Sequence, residues 1–323
     1  MKIFVTGAAG FIGSNYVRWL MENSDAEITV FDSLTYAGVR ANLTEFDDSP
    51  RFNFVHGDIT DRDAVGAALP DHSHVVHFAA ESHVDRSIMG PDAFINTNVA
   101  GTNIVCDIAR QTDGLERFLH ISTDEVYGSI DERSFFETDG LEPRSPYSAS
   151  KASSDLVALA YRETHGLPVV ITRSANQFGP YQFPEKVIPL FVTNLADDLT
   201  VPLYGDGMNI RDWTYVIDNC VGVHMVLNQG VEGEIYNIGA GNELTNKELT
   251  YAILERCGKD ESSIEYVEDR LGHDRRYSIV TTKIRALGWA PEKSFTEALD
   301  ETVAWYQNNR ALWEPLKASV KNR

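Results

Sequence analysis

Basic residues are scarce in this chain. Of its 323 residues, 28 are Lys or Arg against 48 Asp or Glu, a formal net charge of -20. That balance excludes a bulk surface that attracts nucleic acid or an anionic membrane. Cysteine is scarcer still: Cys106, Cys220 and Cys257 stand far apart with no CxxC pairing. Neither a disulfide framework nor a zinc site is indicated, and no metal is expected. No apolar run approaches the roughly 18 residues of a membrane span. Met1 leads straight into KIFVTG, without the basic flank and cleavage site of an export signal. Together these absences predict a cytoplasmic protein. Repeats, low-complexity tracts and long linkers are missing as well. What remains is a globular composition, 43% hydrophobic, sufficient for an ordinary core and for two lobes.

Short β-branched and aromatic runs alternate with segments of helical length. KIFVTG is followed by Phe11 to Glu22. EITVFD, RFNFVHGD and HVVHFAA come next, the last leading to a helix from Asp92 to Arg110. RFLHIS precedes a helix from Tyr147 to His165, and PVVITR closes the series. The alternation predicts βαβ units and an α/β fold, a doubly wound parallel Rossmann sheet covered on both faces. Residues 1–174 form the nucleotide-binding lobe in this reading, with a returning segment near 212–238. After Arg173 the texture changes to Pro and Gly punctuation with short strands. Short helices follow at Asn246 to Arg256 and Phe295 to Asn308. Residues 175–211 and 239–323 are therefore read as a second, smaller α+β substrate-binding domain over the carboxyl edge of the sheet.

The first strand runs into Gly7, Gly10 and Gly13 and then a helix. Glycines at such a turn let the backbone approach a pyrophosphate, and the helix amino end favours its charge. A tight turn with no ligand is the plainer alternative. Asp32, closing the second strand, is placed to accept hydrogen bonds from ribose hydroxyls and to repel a 2'-phosphate, which favours NAD over NADP. Asp58, after the third strand, either reaches the adenine or caps the helix beyond it.

Tyr147 and Lys151 lie one helical turn apart and so share a face. An ammonium beside a phenol, together with a positive nicotinamide ring, stabilises the phenolate. A phenolate can take a hydroxyl proton while a hydride leaves the same carbon. One strand earlier, Ser122-Thr123 ends a buried run, and Thr123 can bind the same substrate oxygen. Asp124 and Glu125 follow directly. Consecutive strand residues face opposite ways, so both acids reach one substrate only if the chain leaves strand geometry at Asp124. A turn at Gly128 makes that feasible; a solvated Asp-Glu turn is the alternative.

These residues resemble the extended short-chain dehydrogenase/reductase family of nucleotide-sugar enzymes over essentially the whole chain. Within it, STDEVYG, Ser122 to Gly128, is similar to the signature of the dTDP-glucose 4,6-dehydratases. AAESHVDRSI, YSASKA, GPYQFPEK, RDW and GHDRRY resemble the same subgroup. The resemblance implies oxidation at C4 of the hexose of dTDP-glucose, loss of water across C5 and C6, and return of hydride to C6. It assigns Thr123, Asp124, Glu125, Tyr147 and Lys151 to catalysis, with Glu125 as base and Asp124 as acid. Neighbouring carboxylates repel as dianions, so one of them should hold its proton tightly. For the NAD site it implies Gly7, Gly10, Phe11, Ile12, Gly13, Asp32, Leu34, Thr35, Asp58 and Ile59. Ala79, Ala80, Thr97, Tyr147, Lys151 and Gln177 complete that set.

For the substrate the resemblance implies Ser82, Thr123, Asn176, Lys186, Arg211, Asn246, Arg270, His273 and Tyr277. It also implies a homodimer through a four-helix bundle, using a second apolar face of the Asp92 to Arg110 and Tyr147 to His165 helices. The chain departs from the pattern at Gln177, Phe178, Asn219 and Leu271. Gln177 bears on a nicotinamide-side contact. Related 4-epimerases and decarboxylases lack the Asp-Glu pair, and a non-catalytic NAD-binding sensor would not need the Thr, Asp, Glu, Tyr, Lys set.

Overall fold

Strands whose residues are apolar on both sides can be stable only in the middle of a sheet covered on both faces. Six strands lie before residue 175, β1 (Lys2–Thr6), β2 (Glu27–Asp32), β3 (Phe52–His56), β4 (His74–His77), β5 (Arg117–Thr123) and β6 (Val169–Ser174), and all but the half-buried β3 lie inside the sheet. Six further strands follow: β7 (Asn176–Phe178), β8 (Val201–Tyr204), β9 (Ile210–Tyr215), β10 (Ile235–Ile238), β11 (Glu243–Thr245) and β12 (Ile264–Val267). The computed structural model describes residues 1–269 and 273–321.

Seven strands form one parallel sheet in the order β10-β6-β5-β4-β1-β2-β3. The chain starts at β1, moves outward to β3, returns to β4 beside β1, and then runs out the other way. The reversal between β1 and β4 opens a crevice at the carboxyl ends, where ligands of such sheets bind. Alternation along β1 shows the two covered faces directly. Ile3 and Val5 pack with Tyr16, Leu20, Val223 and Trp289, while Phe4 packs with Phe31, Val105, Phe118 and Val169. Helix Val216–Gln229 and β10 belong to the first of these layers although they lie late in the chain.

The remaining strands make a three-stranded sheet, β11-β9-β7, and a two-stranded one, β12-β8. They surround a separate core of Phe178, Ile188, Phe191, Trp213, Leu249 and Tyr306. Among the described residues no helix is long and apolar enough to cross a membrane.

The single helix expected from Asp92 to Arg110 is built differently. Pro91–Phe94 and Thr102–Ala109 are α-helical, but Ile95–Gly101 between them is a π-helical stretch. Asn98, buried at its centre, hydrogen-bonds Glu81 N (2.8 Å), Glu81 O (3.0 Å) and Ser150 Oγ (2.8 Å). A wider turn of this kind often marks a functional region, and an apolar periodicity does not reveal it.

Gly7 sits at φ +70°, and a Cβ there would lie 2.5 Å from Ala79 N. Gly7→Ala should therefore lower the unfolding free energy by about 1–3 kcal/mol. Urea unfolding of the purified variant measures this, and an unchanged midpoint would mean that β1 and β4 can separate to admit a methyl group.

Candidate active site

The glycine turn comes first. A Cβ on Gly13 would meet Ala8 Cα at 2.6 Å, so the helix Phe11–Asn23 can start against the turn only with glycine there. Its N-cap, Gly10, carries no side-chain cap, which leaves amide N–H groups of the first turn for an anion. Asp32 does more than close β2. Its Oδ2 accepts from Ala9 N and its Oδ1 from Leu34 N, each at 2.8 Å. Burial pushes this carboxyl up, and the two amides pull it back. The same bond holds Leu34 in a left-handed conformation, φ +52°. Leu34 itself does not line the cleft, whereas Thr35 does.

Asp58 faces the cleft and accepts from Thr60 N and Oγ1. The helix beyond it, Arg62–Ala68, is capped by Asp61 instead. Ile59, Ala79, Ala80 and Thr97 line the same wall.

At the other end of the crevice, β5 stops at Thr123 and the chain enters a 3₁₀ turn, Asp124–Tyr127. Thr123 Oγ1 accepts from Glu125 N (3.3 Å). Gly128 then takes φ +87°, where a Cβ would lie 2.5 Å from Glu142 O. The turn brings both Asp124 and Glu125 to the cleft. Asp124 is 3% exposed. Burial pushes its carboxyl well above the usual range, Glu125 and Asp212 push it further, and Arg211 and the Thr123 hydroxyl oppose them. Its Oδ2 has no hydrogen-bond partner. A buried carboxyl whose protonated form is favoured, with one oxygen unpartnered, is suited to donate a proton.

Tyr147 and Lys151 sit in the first turns of helix Pro146–His165, which starts with Pro146 at N1 and a reciprocal Ser145–Ser148 capping box. Burial, then the charge of Glu125, raises the Tyr147 phenol, while a hydrogen bond with Thr123 lowers it. Lys151 alone thus does not bring this phenol down; the expected lowering depends on a further positive charge. Lys151 is buried, donates to Ile121 O (2.7 Å), and is lowered by burial to about 8, with Asp155 opposing. At neutral pH it remains mostly an ammonium.

Ser82, Asn176, Gln177 and Lys186 also line the cleft, and Lys186 Nζ donates to Ser82 O (3.2 Å). Four predicted substrate residues do not. Arg211 is buried over the ring of Tyr277 (4.1 Å) and donates to Asp274 O (2.9 Å). Tyr277 OH donates to Asp274 (2.7 Å). Both border the acids: Arg211 lowers Asp124, and Glu125 raises Tyr277. His273 Nδ1 is hydrogen-bonded to Asp269 (2.6 Å), and Asn246 begins the helix Asn246–Arg256. Arg270 lies outside the described residues, as does Leu271.

Of the other departures, Phe178 is a core residue against Trp213, Tyr215 and Phe295. Asn219 is fully buried with neither amide atom hydrogen-bonded. Gln177 Oε1 is likewise unpaired.

Sequence reasoning missed Tyr36, Glu81, Phe183 and Glu185, all in the cleft wall. Arg86 lies over the Tyr36 ring (3.9 Å) and donates to Glu185 (3.0 Å), bridging loops far apart in the chain. The GPYQFPEK stretch pointed to Phe183 and Glu185, but no local signal marked Tyr36.

The family model for GDP-mannose 4,6 dehydratase matches residues 4–302. The low-salt glycan biosynthesis protein Agl12 of Haloferax volcanii is 54% identical over 95% of this chain and 98% of its own. A dTDP-glucose 4,6-dehydratase of Streptomyces antibioticus is 52% identical over 98% of this chain and 96% of its own. The crystal structure of DesIV, the dTDP-glucose 4,6-dehydratase of Streptomyces venezuelae with NAD bound, superposes with a TM-score of 0.96. That comparison covers 98% of this chain and 100% of DesIV, at 55% identity.

Asp124 binds its proton more tightly folded than unfolded. The stability this contributes is fully present below the unfolded carboxylate value of about 4 and is lost as pH rises through the raised folded value. Asp124→Asn cannot ionise, so its urea midpoint should fall less than that of wild type as pH rises from about 4. Equal falls would mean that Asp124 is charged in the cleft.

Proposed function

The chain belongs to the GDP-mannose 4,6 dehydratase family, and we propose that within it this protein is an NAD-dependent dTDP-glucose 4,6-dehydratase, yielding a 4-keto-6-deoxy hexose. The observation that carries the reading is a buried Asp124 beside Glu125, in the same cleft as Tyr147 and Lys151.

The residues of the first crevice fit NAD. Gly7 and Gly13 stand where a Cβ would collide, the helix start is uncapped by side chains, and Asp32 faces the cleft. Bound there, the cofactor supplies a reusable acceptor for hydride. Tyr147 takes the proton of the C4 hydroxyl, hydrogen-bonded by Thr123, and the Lys151 ammonium stabilises the resulting phenolate. A ketone at C4 makes the C5 proton acidic, and Glu125 removes it. Asp124, whose burial favours the protonated form, gives its proton to the departing C6 hydroxyl; hydride returned to C6 and the proton carried back to C5 by Glu125 then saturate the double bond left behind, giving the 4-keto-6-deoxy sugar.

Ser82 touches the hexose in this scheme, and Asn176 lines the same cleft. Arg211, Arg270 and His273 serve the diphosphate or the nucleoside, with Lys186, Asn246 and Tyr277 nearby. The proposal includes the division into a cofactor lobe (1–174 with 212–238) and a nucleotide-sugar lobe, which the two separate cores support. It also includes a cytoplasmic homodimer, supported by the exposed apolar residues Met89, Ile95 and Leu156.

Incubation of the purified protein with dTDP-glucose and no added cofactor should give a product lighter by one water, with the absorbance of a ketone in base. An isomer of unchanged mass would assign a 4-epimerase, and no reaction despite bound NAD would make the protein a sensor. Glu125→Gln should slow water loss by about 10²–10⁴-fold while NADH absorbance still rises on mixing with substrate. Normal turnover by this variant would remove Glu125 as the base.

A further inference from the structure

Beneath the reacting groups lies a buried charged cluster that the scheme above leaves without a role. Asp155 follows Lys151 by one helical turn and is 0% exposed. Its Oδ2 accepts from Arg173 Nε (2.9 Å) on β6, and its Oδ1 lies 3.2 Å from His120 Nε2 on β5. The Arg173 guanidinium stacks on the ring of Tyr127 (4.7 Å), the last residue of the turn that carries Asp124 and Glu125. Tyr127 OH in turn donates to Asn237 on β10 (2.9 Å).

A buried ion pair is a poor source of net stability, because desolvation cancels most of the attraction and an apolar pair of similar volume does as well. Its presence here coincides with an electrostatic need. Lys151 is an ammonium in a dry site, and its own hydrogen bond goes to an uncharged carbonyl, Ile121 O.

We propose that Asp155 and Arg173 are positioning residues of the reaction site: Asp155 is the fixed counter-charge that keeps Lys151 an ammonium, Arg173 sets how much of that charge Lys151 receives, and the Arg173–Tyr127 stack locks the Tyr147–Lys151 helix to the turn bearing the two acids. The proposal rests on the reading that Tyr147 and Lys151 act on the sugar.

The titratable groups around Lys151 bear this out. From its own helix come Asp155 below and Tyr147 above, from the acidic turn Asp124 and Glu125, from β4 His77, from β5 His120 and from β6 Arg173. His77 is held between Thr6 Oγ1 (2.7 Å) and Thr102 Oγ1 (3.0 Å), and lies 5.5 Å from the His120 ring. Burial pushes both imidazoles below their ordinary value, and the Lys151 charge adds to this in each. They are neutral and offer Lys151 no charge. Burial alone would raise Asp155, but His120 and Arg173 more than offset it and keep it an anion. It is the attraction opposing burial at Lys151.

The test is nitrogen-15 NMR titration of the Lys151 amine in the whole, NAD-loaded protein, its signal identified by loss in Lys151→Arg. Asp155→Asn should lower the amine pKa below that of wild type by about one unit or more, since the remaining Arg173 is repulsive. Arg173→Gln should raise it, because Asp155 is then shared with one cation fewer, and Arg173→Lys should return it towards the wild-type value. Shifts of the same sign in Asp155→Asn and Arg173→Gln, or none in either, would overturn the proposal and leave the pair as packing. If Asp155→Asn does not fold, the two Arg173 variants decide alone. With dTDP-glucose, the alkaline limb of turnover should move with the amine. Wild type that titrates as described but does not turn over would count against the dehydratase reading and not against this one.

Discussion

A hydroxyl decides where the reaction site begins. Thr123 accepts the amide of Glu125 and thereby ends β5 one residue before the acids. Were the strand to continue, Asp124 and Glu125 would point to opposite faces of the sheet. The 3₁₀ turn brings them to the same cleft, and Gly128, at a dihedral few other residues tolerate, sends the chain away before it can cover them. The Tyr147 helix, the acids and the glycine turn then converge because parallel strands deliver all their carboxyl ends to one edge.

The electrostatics follow from how little water reaches that edge. In bulk solvent an Asp and a Glu side by side would both be ionised at neutral pH. Here burial makes the difference, and it acts unequally: Asp124 is driven towards its neutral form by desolvation and by two neighbouring carboxylates. The same desolvation works against the charge on Lys151 and is resisted by Asp155. One environment therefore produces an uncharged acid and, through a counter-ion placed a turn away, a charged amine. The net charge of the whole chain has no bearing on either.

Much of this was legible in the residues. The parallel sheet could be read from apolar runs separated by helix-length segments, and the glycine spacing with Asp32 located the crevice. The acids and the Tyr-Lys pair stood out because each had a chemical reason to be near a sheet edge. Legibility failed where an interaction joins segments distant in sequence. Tyr36 carries no motif, and its position under Arg86 depends on a loop after β2 meeting one after β4. Asp61 rather than Asp58 caps its helix because the carboxylate must stand next to the amides it receives, a matter of one turn that spacing does not resolve. The i→i+5 winding at Ile95–Gly101 is invisible to a pattern built on 3.6, and Asp155 reads as an ordinary polar position until β6 sets Arg173 against it.

The π-helical stretch also joins inside to outside. Asn98 points inward and grips both polar atoms of the Glu81 backbone together with Ser150, next to Lys151, while Ile95, three residues earlier, is half exposed. The outer rim of the molecule and the cleft wall are thus separated by the thickness of a single helix. A substitution at Ile95 therefore falls within one helical turn of the bonds by which Asn98 holds Glu81 and Ser150.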